Sequence, residues 1–172
     1  IDLCLSLYDW ARFRSTKSGI KVHTQLDIRT EIPTSFTITD AVVHDVNAMD
    51  SIAYEPFACY IFDRGYFDLR RLYHINEVSS FFVIREKRRP KYEVTADEDV
   101  LEGTDNALQD QTIRFTGKRN CTNYPSEIRR IVYHSPEMNR TFTYYTNNFY
   151  LKASDIALLY KNRWKVECSS NF

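Results

Sequence analysis

The chain of 172 residues carries 43% hydrophobic side chains and a net charge of zero, which suits a single domain with a real core. No run of about 18 apolar residues or secretory signal is present, which excludes a membrane-spanning helix and makes a cytoplasmic setting the expectation. Neutrality weighs against a dedicated duplex-binding module, and Cys4, Cys59, Cys121 and Cys168 have neither zinc-ligand spacing nor disulfide-scaffold density.

Residues 1–19 open on an apolar stretch and turn basic and polar from Trp10 onward, with Arg12, Arg14, Lys17 and Lys21 forming a first basic run. The simplest role of Trp10 and Phe13 is to cap the edge of the core; contact with a nucleic-acid backbone is the alternative. From Ile20 to Ile28 the residues alternate, with Val22, Thr24, Leu26 and Ile28 on one face, which predicts a strand. Thr34 to Thr39 predicts a second strand with Phe36 and Ile38 inward, paired with the first as a hairpin. His23 reads as a half-exposed strand histidine. Asp45, after His44, is placed to cap a helix running to about Ile52.

The run Cys59-Tyr60-Ile61-Phe62-Asp63-Arg64-Gly65-Tyr66 predicts a short buried strand that delivers Asp63 at its C-terminal end, followed by a turn at Gly65. A helix from about Asp68 to Val78 and the strand Phe81 to Arg85 follow. Strand, strand, helix, strand, helix, strand describes a mixed sheet with helices. Carboxylates at strand ends are where metal-dependent phosphoryl-transfer sites of α/β sheets tend to sit.

Arg85, Lys87, Arg88, Arg89 and Lys91 make a second basic run, and Lys118, Arg119, Arg129 and Arg130 a looser third; a charge run is usually a solvated face. Glu93, Asp97, Glu98, Asp99, Glu102 and Asp105 mark an exposed acidic loop. Thr112 to Phe115, Ile128 to Tyr133 and Thr141 to Tyr145 are short β-prone runs separated by Gly117, Pro125 and Pro136. The last helix begins near Ser154, a good N-cap, and packs inward through Ile156, Leu159 and Val166. Tyr160, Arg163, Trp164 and Glu167 fall three and four residues apart on one face of it. That face can hold a metal through Glu167, grip a phosphate through Arg163 and meet a nucleotide through Tyr160 and Trp164. An interfacial helix with an Arg163–Glu167 pair is the plainer alternative, and core packing the plainer role for Trp164.

Asp63-Arg64-Gly65-Tyr66, then Thr146-Asn147-Asn148-Phe149, then Tyr160-x-x-Arg163-Trp164-x-x-Glu167 resemble the DDE transposases of bacterial insertion sequences, in the subfamily with a Tyr-Arg-Glu-Lys (YREK) signature. The resemblance runs over nearly the whole chain, including Ile1-Asp2-Leu3-Cys4-Leu5-Ser6, Lys21-Val22-His23 and His44-Asp45-Val46-Asn47. It implies an α/β fold: a ribonuclease H-like mixed sheet with flanking helices and a β-rich insertion before the last helix. The expected division is residues 1–86 as core, 87–148 as insertion and 149–172 as the helix carrying the Glu. It further implies metal-dependent DNA strand cleavage and strand transfer at transposon ends. Two Mg²⁺ or Mn²⁺ ions would be held by the second Asp, here Asp63, and the Glu, here Glu167. Tyr160, Arg163, Trp164 and Arg64 would touch DNA, and His44 and Asp45 would flank the metal site without ligating it.

The partners implied are transposon-end and target DNA and a second copy in a synaptic homodimer, in a bacterial, nucleoid-associated setting without a membrane. The family's first Asp falls upstream of Ile1 and the signature Lys beyond Phe172. The chain is therefore expected to be an internal fragment or decayed copy, inactive by itself. The rival expectations are a non-catalytic DNA-binding remnant, an unrelated metal-dependent nuclease of the same fold, and a purely structural cluster of Asp63, Arg163 and Glu167.

Overall fold

A computed structural model describes residues 12–14, 17–18, 20–87, 90–98 and 106–169, with residues 12–14, 17–18 and 164–169 described by their backbone only. The chain divides into two units, Ile1–Ile52 and Ala53–Phe172.

In the first unit β1 (Arg12–Arg14) pairs with β2 (Lys17–Ser18), and β3 (Ile20–Asp27) pairs with β4 (Ile32–Asp40) as the expected antiparallel hairpin. Asp27 holds the hairpin turn by accepting from the backbone N–H groups of Arg29 (2.8 Å) and Thr30 (3.3 Å), which draw its carboxyl below the ordinary range. The predicted facing is inverted. Phe36 is 70% exposed, and Val22 and Ile38, which pair across the hairpin, are exposed with it. The covered face is the polar one. There His23 bonds Thr39 (3.0 Å), and Lys21 reaches the Val43 carbonyl (2.8 Å) and Asp45 (2.9 Å). Thr37 bonds Ser51 on the same face. These bonds, with buried Ala48 and Met49, hold the expected helix over nearly the expected residues, Asp45–Ser51, as a 3-10 helix. Asp45 does not cap that turn: His44 occupies the cap position, and the Asp45 carboxylate is taken by Lys21.

In the second unit β5 (Cys59–Phe62) and β6 (Phe81–Arg85) are parallel neighbours joined by α1 (Leu69–Glu77). Asp68 starts α1 by accepting from the Arg71 amide at 3.0 Å, and Leu69, Leu72 and Ile75 recur on its buried stripe. β7 (Tyr92–Asp97), β8 (Ala107–Phe115), β9 (Ile128–Ser135) and β10 (Arg140–Thr146) join antiparallel, giving the order β5-β6-β10-β9-β8-β7. The result is a six-stranded mixed sheet, the α/β architecture expected. The strands that follow residue 87 continue the sheet of β5 and β6, and β10 lies directly beside β6.

Two local readings change. Tyr92–Asp97, read as acidic loop, is an edge strand, because pairing with β8 satisfies its backbone while its charged side chains stay in water. Lys118–Asn123, read as turn and basic cluster, is the short helix α2, entered through Gly117 at φ 85°, a conformation that favours glycine.

Side chains alternate across the sheet, so it has two apolar faces. On one, Tyr124 is fully buried, edge-on to Tyr73, Phe82 and Phe115; each such ring pair adds about 0.5–1.5 kcal/mol beyond area burial. On the other, α3 (Ala153–Ser169) lays Ala153, Ile156, Ala157 and Tyr160 against Val83, Ile131 and Tyr144. The helix begins one residue before Ser154, with Ile156 N–H donating to the Lys152 carbonyl, so Ser154 lies inside the first turn and is not its cap. Leu159 is half-buried, and the side chain of Val166 lies outside the described residues. Among the described residues no helix is long and apolar enough to cross a membrane. Cys59 and Cys121 are free thiols.

Candidate active site

Ile61 and Asp63 are two residues apart at the end of β5 and therefore project to the same side of the sheet. Ile61 packs into the α3 cluster, so Asp63 emerges on the α3 side. Asp63 opens a 3-10 turn, Arg64–Tyr66, and an Asp at that position commonly caps the turn through its side chain. Here it makes no such bond. Its carboxylate is directed across to α3 instead. The Tyr160 hydroxyl donates to Asp63 Oδ1 at 3.5 Å, a long contact, and Arg163 Nη2 stands 3.8 Å from the same oxygen.

These three groups are held differently. Tyr160 is fully buried against the Tyr144 ring, 4.9 Å between centroids, and its own ring lies under the Arg163 guanidinium at 5.4 Å. Burial raises the Tyr160 phenol above its ordinary range, so it stays protonated near neutrality and acts as a donor. The Arg163 side chain is 15% exposed and that of Asp63 is 41% exposed. A clamped cation and phenol thus face a carboxylate that is open to solvent. The pair's own contribution to stability is small, within the 0–1 kcal/mol typical of partly exposed ion pairs.

The helix carries the remaining predicted residues. Trp164 and Glu167 lie on the α3 backbone, Glu167 one turn beyond Arg163, and their side chains fall outside the described residues. Arg64 sits in the turn after Asp63. His44 is exposed in the first unit and Asp45 is paired there with Lys21. Among the described residues no three His, Cys, Asp or Glu side chains converge on one point. Asp63 is nonetheless suited to a hard divalent ion, as an accessible anionic oxygen donor that, among the described residues, is engaged by long contacts.

Periodicity does not reveal a buried polar assembly on β8 and β9, away from β5. Arg129 and Asp110, each 7% exposed, form a bidentate pair, Nε to Oδ1 at 2.7 Å and Nη2 to Oδ2 at 2.5 Å. In the sequence Arg129 reads only as part of a basic run on a solvated face. The available signal was its parity with Ile131 and Tyr133, which places a guanidinium at an inward position of a strand.

The chain belongs to the transposase DDE domain family, whose match covers residues 8–170. Two curated relatives are similar over most of this chain. "Putative transposase y4zB" of Sinorhizobium fredii is 34% identical over 164 residues, 94% of this chain and 46% of its own length. "Probable transposase for insertion sequence element IS5377" of Geobacillus stearothermophilus is 25% identical over 158 residues, 92% of this chain and 41% of its own length. The chain spans less than half the length of these relatives.

Proposed function

We propose that this chain is the catalytic-domain part of an insertion-sequence transposase of the Tyr-Arg-Glu-Lys subfamily, cutting and joining DNA at transposon ends on a ribonuclease H-like scaffold. The single observation that carries the reading is the meeting of Asp63 with Tyr160 and Arg163 across the sheet, despite their separation along the chain. In this reading Asp63 and Glu167 hold Mg²⁺ or Mn²⁺; the chemistry such ions supply when bound is activation of the attacking oxygen and stabilisation of the leaving one. Arg163, steadied on the Tyr160 ring, presents its planar fork to a DNA phosphate, and the protonated Tyr160 hydroxyl donates beside it. Arg64 and Trp164 extend the DNA contact. DNA ends and a second copy in a synaptic dimer are the partners.

The test is thermal unfolding of the chain with Mn²⁺ or Mg²⁺ against monovalent salt of equal ionic strength. An ion at ten times its dissociation constant stabilises by about 1.4 kcal/mol, a rise of roughly 3–6 °C for a domain of this size. Asp63→Asn removes the rise. A parent chain indifferent to divalent ions contradicts the proposal.

A further inference from the structure

The segment Thr146-Asn147-Asn148 bonds, among the described residues, to groups other than those placed at the site. All three residues are buried where β10 ends and the chain turns toward α3. Asn147 accepts from Phe82 N–H (2.9 Å) and donates to the Ser80 carbonyl (2.8 Å) and to Asn76 Oδ1 (3.0 Å), tying the end of β10 to β6 and α1. Asn148 donates its N–H to Thr146 Oγ1 (3.0 Å), while its side-chain oxygen accepts from Tyr150 N–H and Leu151 N–H, both at 2.9 Å. Arg129 then fixes the far side of the turn. Its Nη1 donates to the Asn148 carbonyl (3.1 Å) and the Leu151 carbonyl (2.5 Å), while Asp110 holds the rest of its fork. Two residues later α3 begins.

Helix geometry shows why this matters at the far end. Tyr160 is seven residues beyond Ala153, two turns along, so it inherits the rotation at which the helix starts. A slip of one residue at the start would turn every α3 side chain by about 100° and move it about 1.5 Å. Arg163 would then leave the Asp63 side. We propose that Asn148, braced by Arg129 and Asp110, is a positioning residue of the site, setting the register of α3 so that Tyr160 and Arg163 face Asp63. The functional meaning of this register rests on the transposase reading; the register itself does not.

The experiment is a double-mutant cycle between Asp63→Ala and Arg163→Ala, read as unfolding equilibrium constants by denaturant titration of the 172-residue chain. In the parent background the two side chains are coupled by about two- to fivefold. Asn148→Ala, which removes the acceptor for both amides, reduces the coupling to one. Asn148→Asp, which keeps a side-chain oxygen acceptor at that place, restores it. Should Asn148→Ala fail to fold, Asn148→Ser, whose shorter hydroxyl cannot reach both amides, is expected to fold with the same loss of coupling. A role confined to general stability raises all unfolding constants together and leaves the coupling intact, and that result overturns the proposal. So does a parent chain with no coupling. The cycle uses neither cation nor DNA, so it can succeed where the metal test fails, and the reverse.

Discussion

Asp63→Asn is expected to abolish DNA strand cleavage by a chain extended to the length of the relatives, with almost no change in stability. The side chain is 41% exposed and engaged by two long contacts, so exchanging it for its amide removes at most the 0–1 kcal/mol of a partly exposed pair. The shape is nearly unchanged, and the amide oxygen can still accept from the Tyr160 hydroxyl. What is lost is an anionic oxygen placed by β5 at the point that Tyr160 and Arg163 face. Arg163→Ala would lower cleavage less, since it removes a phosphate grip while leaving the carboxylate. Cleavage and unfolding measured on the same preparations give the comparison. Activity of Asp63→Asn within about tenfold of the parent, equivalent to only 1.4 kcal/mol of barrier, contradicts the assignment.

Arg129→Met is expected to do the opposite, damaging the fold before any chemistry is considered. It leaves the Asp110 carboxylate 7% exposed without its guanidinium and strips donors from the carbonyls of Asn148 and Leu151. Breaking a buried pair by removing one partner costs about 3–5 kcal/mol, which corresponds to a fall in melting temperature of roughly 6–20 °C. Adding Asp110→Leu to Arg129→Met recovers part of this, because the stranded charge is gone, but not all, because the two carbonyls still lack their donor. Thermal unfolding of the single and double variants checks the order. A single variant that melts within about 2 °C of the parent shows that the pair carries no such load.

Much of this was legible before the fold was known. Phe81 to Arg85 is an apolar run between two serines and a charged segment, and it forms β6 over those same residues. Asp63 at a strand end and Tyr160 with Arg163 on one helix face follow from the strand and helix periods, which hold wherever one side of an element is buried. The face of the β3–β4 hairpin was not legible. Its two faces differ in polarity, and the 3-10 turn is bonded to the polar one through Lys21, Thr37 and Asp45, so apolar alternation misled. The strand Tyr92–Asp97 was hidden because an edge strand need bury little and can be charged throughout. Arg129 with Asp110 is a diagonal pair across two strands, and Asn148 speaks to backbone amides two and three residues on. Neither kind of contact leaves a period in the sequence.

The most direct measurement of the central claim is a crystal structure of the chain soaked with Mn²⁺, the ion located by its anomalous scattering. The account predicts a peak about 2.1 Å from an Asp63 carboxylate oxygen, with the Glu167 carboxyl reaching the same ion or one roughly 4 Å away. An ion bound away from Asp63, or Asp63 and Glu167 carboxyls held more than about 8 Å apart with the ion present, contradicts it.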